Sequence, residues 1–236
     1  MATIIDISNS VSDLIPVKRS ASVIGSDVKA AKLMAACILV ELNNIHQSHD
    51  WKVNVKEFEI VATTTSKNDF TLPSGFVAVV PDTMWTSRNN LKIDSMSRQG
   101  MAYSDFNGLV KTGITNYFKT LESNTSQTIN FHIDLTVGET VKFFYKTNAT
   151  CKSSANVELP KPTNDTDILI YNESLVRIAV LKSMLIRLGL DAQYEIAEYA
   201  RLLTLEKANN LDAGKVSIGG SGRRVGVNIP DTGYGV

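Results

Sequence analysis

His46 and His49 stand three residues apart with Asp50 beside them, a spacing that on a helix brings two imidazoles to one side, where they could hold a metal ion together with the carboxylate. Histidine near a helix C-terminus is also favoured by the dipole alone, and no second cluster of Cys, His or carboxylate residues completes a ligand set, so no metal site is assigned. Asp165 and Asp167 could act as an acid and a base. Both fall where a helix pattern opens, and carboxylates are expected in a first helical turn without any reaction. His132 alternates onto the polar face of a strand pattern and reads as solvated. The chain carries no GxSxG elbow, no phosphate-binding glycine-lysine loop, no GxGxxG between strand and helix and no HExxH. The reading is a protein with no catalytic residue, no metal and no cofactor, and therefore not an enzyme.

One further stretch could do chemistry. Residues 219–228, GGSGRRVGVN, offer backbone amides and two arginines to a phosphate, yet the stretch follows no strand pattern and opens no helix, so anion-cradling geometry has no support. Glycine holds 7 of the last 26 positions against 7 in the preceding 210, which marks an end that cannot bury enough apolar surface to order itself. Arg223 and Arg224 then read as a docking contact to an acidic protein patch, as a weak electrostatic touch on DNA, or as part of a dispensable terminus.

The elements that must position these residues follow from periodicity. Ser26 or Asp27 can cap a helix that runs to about residue 48, with Val28, Ala31, Ala35, Ile38, Leu42 and Ile45 at helical spacing. Leu33, Met34, Cys37, Leu39 and Val40 widen that stripe, so the helix is expected to meet more than one neighbour. A weaker helix is expected over residues 10–19, broken by Pro16. Of 17 aromatic residues, 13 lie between Trp51 and Tyr145, the signature of strands. There Ile129, Phe131, Ile133 and Leu135 alternate with polar residues, and after Thr136-Val137-Gly138 the alternation resumes at Val141, Phe143 and Tyr145, which predicts a β-hairpin with one buried face. Shorter strands are expected over residues 53–63, 69–72, 76–80 and 114–119. Past Pro160 and Pro162, Asn164 is expected to cap a helix through Leu188, stopped by Gly189, with a second helix starting at Asp191 and a stripe of Tyr194, Ile196 or Ala197, Ala200, Leu203 and Leu205. The connection is short enough to force an αα-hairpin.

The predicted fold class is α+β. Residues 1–50 and 157–212 make a helical bundle, from an N-terminal helix plus a C-terminal αα-hairpin; 51–156 make an inserted small antiparallel β domain; 213–236 make an extended C-terminal tail. Composition fits: 236 residues with 43% hydrophobic content can build a substantial core. Lys plus Arg and Asp plus Glu both number 24, so no net field draws the chain to nucleic acid. Cys37 lies in an apolar run far from Cys151 and reads as a core residue rather than a disulfide partner, which fits a reducing compartment during assembly. The N-terminus shows neither the basic nor the apolar region of a signal peptide, and no run approaches the roughly 20 apolar residues of a membrane span. The expectation is a soluble protein, not exported by that route.

Several segments in order resemble the head-to-tail adaptor proteins of short-tailed bacteriophages, the tail tubular protein A or tail accessory factor class. They are ELNNIHQSHDWKVNVKEFEI, where a helix runs into a tryptophan and then a strand; NDFTLPSGFVAVVPDTMW; a late β-hairpin ending in KFFYKTN; and the DILIY opening of a helical hairpin that closes on LEKANN. The resemblance spans most of residues 25–210, and order and spacing carry it. It implies a structural virion protein at the head-to-tail junction, assembled in the host cytoplasm. Copies would form a homo-oligomeric ring, usually of twelve, under the portal vertex. The ring would extend the DNA channel, pass close to double-stranded genomic DNA without reading it, and present a platform for the tail nozzle or for tail fibre or spike proteins, with no membrane partner. Adaptors of this class engage the portal protein through a C-terminal extension. Here that would be residues 214–236, with Arg223 and Arg224 as charged contacts and Val225, Val227, Ile229 and Tyr234 as apolar anchors. The alternative is another virion component, such as a tail-nozzle or head-completion protein, or a glycan-binding appendage built on the β region, which would expose aromatics and bind as isolated copies.

Overall fold

The computed structural model describes residues 2–64, 67–88, 90–96, 116–122 and 127–210. Helix α1 (Ile4–Ser12) opens on Thr3, whose hydroxyl accepts from the Asp6 amide while Asp6 accepts from the Thr3 amide, a reciprocal capping box. It lies earlier than the helix expected over 10–19, because the Thr3/Asp6 cap sits ahead of the periodic stretch. Helix α2 (Lys29–Ser48) buries Ala31, Met34, Cys37, Ile38, Leu42 and Ile45. Neither Ser26 nor Asp27 caps it; the N-cap is Val28, and Asp27 pairs instead with Lys32 at 2.9 Å.

A short 3₁₀ turn (Lys52–Asn54) leads into the strands β1 (Val55–Val61), β2 (Lys67–Thr71), β3 (Phe76–Val79), β4 (Trp85–Thr86), β5 (Leu91–Ser95), β6 (Asn116–Glu122), β7 (Gln127–Leu135) and β8 (Thr140–Thr147). They form one eight-stranded sheet in the order β1-β8-β4-β5-β6-β7-β2, with β3 also on β8. All pairs are antiparallel except β5 with β6. Strands β9 (Cys151–Lys152), β10 (Glu158–Leu159) and β11 (Ile168–Leu169) form a second, three-stranded sheet. Helix α3 (Glu173–Leu188) starts at Asn172, whose side chain accepts from the Ser174 and Leu175 amides, and ends on Gly189 at φ 71°. Helix α4 (Gln193–Asn210) completes the hairpin.

This overturns the expected fold class. The molecule is a mixed α and β structure dominated by one large, nearly closed sheet, with four helices among the described residues, and not a helical bundle carrying a small antiparallel β domain. The physical reason lies in the core. Ile60, Phe70, Met84, Ile93, Phe118, Ile129, Phe131, Val141 and Phe143 pack together with no helical residue among them, so the sheet must curl over its own apolar face to bury it. The helices build a separate core with Trp51, Leu169 and Tyr171. Alternation in 129–145 gives the buried face at Ile129, Phe131, Leu135, Val141, Phe143 and Tyr145, but not at Ile133, which is half-buried while His132 is buried, and not the partner strand: β7 and β8 do not pair with each other. They belong to different parts of the sheet and face one another across its interior through the turn at residues 136–139.

The helix expected from Asn164 begins at residue 173 instead. Residues 163–169 are held in a turn and in β11 by the N-terminus, with Ile4 N donating to Asp167 O (3.1 Å), Ile5 N to Asp165 O (3.1 Å) and Leu169 N to Ala2 O (3.0 Å). The stripe expected on the last helix holds only at Leu203. Tyr194, Ile196 and Leu205 are exposed, α4 has no buried residue, and Tyr199, Leu202 and Leu203 are the side chains that lean on the core.

Candidate functional site

The chemistry-bearing residues found in sequence do not converge. His46, on the last turn of α2, points its Nδ1 at the hydroxyl of Tyr171 (2.8 Å) and at Asn54 Nδ2 (2.8 Å), and Asn54 Nδ2 also donates to the Tyr171 hydroxyl (3.0 Å). With the Asn54 amide oriented to donate through Nδ2, His46 Nδ1 is the acceptor, which corresponds to the neutral tautomer protonated at Nε2. Burial lowers the His46 pKa and pushes the Tyr171 phenol up to about 12. Asn54 Oδ1 is buried with no hydrogen-bond partner among the described residues. His49 does not join this group; its ring meets Trp51 edge-on at 5.3 Å, and Trp51 Nε1 donates to Ile45 O at 2.7 Å. Asp50 pairs with Lys146 at 2.6 Å. Among the described residues no three His, Cys, Asp or Glu side chains gather as a metal site would require.

Asp165 and Asp167 act on backbone, not on each other. The Asp165 carboxylate accepts from the Val23 (3.1 Å) and Ile24 (2.7 Å) amides. Burial works to raise its pKa, and the Ile24, Ser22 and Val23 hydrogen bonds outweigh that and lower it. Asp167 Oδ2 accepts from the amides of Thr163 (2.7 Å) and Asn164 (2.9 Å). Together they fix the turn that receives α1. His132 is buried on the sheet rather than solvated. Cys37 and Cys151 are free and buried, and burial raises both thiols, Cys151 to about 11, which keeps them protonated and unreactive. The residues expected to dock the portal, Arg223, Arg224, Val225, Val227, Ile229 and Tyr234, lie outside the described residues.

Sequence reasoning missed two buried carboxylates. Glu139, in the turn between β7 and β8, accepts from the Thr86 hydroxyl, from the Thr136 amide (3.0 Å) and from Arg88 Nη2 (2.5 Å), and so ties that turn to β4. Burial alone would raise its pKa; the Thr86, Thr136 and Arg88 contacts overcome this and lower it. Glu41, on α2, meets Ser183 Oγ and Lys182 Nζ (3.3 Å) of α3, and Lys182 in turn lies 4.1 Å from the centre of the Tyr199 ring on α4. Its signal was present as the single acid inside the apolar run AACILVEL.

Two exposed apolar features stand out among the described residues. One is α4 with the hairpin tip, where Ile186, Leu188, Leu190, Tyr194, Ile196 and Leu205 face outward. The other is on the outer face of the large sheet. Trp85 and Phe144, 49% and 44% exposed, are diagonal neighbours there, since Trp85 stands opposite Lys142 in register, two residues from Phe144. Lys142 pairs with Glu59 at 3.3 Å beside them. No helix among the described residues is long and apolar enough to cross a membrane. No protein-family model and no curated protein matches the chain.

Proposed function

We propose that this protein is a structural virion component, a head-to-tail adaptor whose copies form a ring of about twelve under the portal vertex, extend the DNA channel and carry the tail nozzle or spikes. The observation that supports it best is α4. An ordered 18-residue helix with no buried residue leaves Tyr194, Ile196 and Leu205 to water, a state that a neighbouring copy packed along the helix would relieve. The polar residues that could have suggested catalysis are spent on turns and seams instead, and the sequence segments that resemble the adaptor class agree in order with this reading.

Within it, the C-terminal segment reaches the portal through Arg223, Arg224, Val225, Val227, Ile229 and Tyr234. Deleting residues 213–236 is expected to abolish binding to the portal protein of the same genome while the helical circular-dichroism signal persists; undiminished binding would remove the tail from the proposal. A second reading has one specific observation behind it. Trp85 and Phe144 on an open sheet face, with Lys142 and Glu59 alongside, could stack sugar rings, as a glycan-binding appendage would require. Glycan-array binding by isolated copies, lost in Trp85→Ala, would favour that reading over the adaptor.

A further inference from the structure

Tyr194, Glu198, Arg201 and Leu205 follow one another on α4 at spacings of four, three and four, so they stack as one row along a single side of the helix. Tyr194 and Leu205, at the ends, are 74% and 46% exposed, and between them Glu198 holds Arg201 through two hydrogen bonds of 2.8 and 2.7 Å. Beside the row Ala197, Ala200 and Thr204 are exposed and small. The Thr204 hydroxyl already donates to Ala200 O at 2.8 Å, so covering this face strands no donor. On its other side the row borders an open groove of about 630 Å³, lined by exposed Leu14 and by half-buried Ile178 and Leu202. Tyr199, Leu202 and Leu203 lean on the core from the inner side of α4, so apolar residues run round the helix as they do in one that is covered on both sides.

The row reads the same in both directions. It is apolar at each end, its spacing is symmetric about its midpoint, and the two central charges are opposite in sign. We propose that α4 pairs antiparallel with α4 of a second copy along this row. The twofold axis falls between Tyr199 and Ala200, which sets Tyr194 against the partner's Leu205 and Glu198 against the partner's Arg201, each contact made twice. A parallel pairing in register would instead oppose like charges at both positions. In the antiparallel pair each Arg201 lies between two carboxylates, and the small residues beside the row let the helix axes approach to about 8 Å. The contact covers about three helical turns, less than a standard stable interface, so the pair is a weak one. This pairing stands apart from the adaptor reading. A twofold contact closes on two copies and cannot run round a ring, so the pair is a form of the free protein, and a ring that uses α4 must first open it.

The test uses the full chain without any other protein, by sedimentation equilibrium. Glu198→Arg puts like charges along the seam, as does Arg201→Glu, and each variant alone is expected to dimerise about tenfold more weakly than the parent chain, or worse. Mixed in equal amounts, the two variants are expected to recover dimers, because every charge of one then meets its opposite on the other. A parent chain that stays monomeric up to roughly 1 mM, variants that dimerise like the parent, or a mixture that gains no dimer would overturn the proposal. Direction is read separately. Tyr194→Cys with Leu205→Cys, under mild oxidation, is expected to give a covalent dimer in about tenfold higher yield than Tyr194→Cys alone, whose two thiols lie roughly 16 Å apart along the pair. Equal yields, or rings in place of dimers in the parent chain, would overturn it equally.

Discussion

Glu139 shows how a single side chain can hold the sheet's two parts in place. Its carboxylate is buried, so truncation leaves the Thr86 hydroxyl and the Thr136 amide without their acceptor, and Glu139→Ala is expected to cost about 2 kcal/mol in the urea unfolding midpoint. Because its folded pKa is lowered, this stabilisation is present above the ordinary carboxylate range near ~4.3 and fades as pH falls through the lowered value. His46 works in the same direction, at higher pH. With its folded pKa lowered by burial, the unfolded chain takes up a proton first, so stability falls as pH drops below about 6.5. Protonating Nδ1 would also set N–H against N–H unless the Asn54 amide turned over. His46→Leu is expected to flatten the urea midpoint between roughly pH 7 and roughly pH 5, and an unchanged slope would assign the proton uptake elsewhere. Residue identity alone could mark Glu41 as a charge needing a partner, since it interrupts an apolar helix. It could not reveal Asn54 or Tyr171, whose roles arise only where two distant segments meet.

At the scale of elements, Gly189 does what its position in sequence predicts. At φ 71° any Cβ is strained although the space around it is open, so Gly189→Ala is expected to cost about 1 kcal/mol of stability, and Asn172→Ala at the other end of α3 about as much through the lost cap. The helix was legible because leucine and isoleucine recur through 175–185; its start was not, because Asn164 and Asn172 are both capping residues and only the pairing of 165–169 with the N-terminus decides between them. Strands of two residues, such as β4 and β9, carry no periodicity to read. For α4, Ile196→Asp with Leu205→Asp is expected to leave the unfolding midpoint within about 0.5 kcal/mol, since both side chains are exposed, while preventing assembly into rings on size-exclusion chromatography with light scattering. Ring formation by that variant would free α4 from the role given it here.

The described residues form two apolar cores joined by a polar seam. His46, Asn54 and Tyr171 cross it, as do the Asp50–Lys146 and Lys56–Glu158 pairs at 2.6 and 2.7 Å, and Asn210 ties the end of α4 to Asp50 and Lys52. Aromatic clustering in sequence located the sheet, but its size was hidden, since closure of a sheet on itself depends on which strands pair, and alternation is silent on partners. The candidate assembly surface was less legible still: of the residues that read as a core stripe on the last helix, Leu203 leans on the core while Tyr194, Ile196 and Leu205 face outward, a difference that only packing determines. The adaptor proposal is tested most directly by native mass spectrometry of this protein mixed with the portal protein of its own genome, with each alone as control. The account predicts a discrete complex carrying about twelve added copies, set by the portal's symmetry. A well-folded sample that adds no copies to the portal would contradict it.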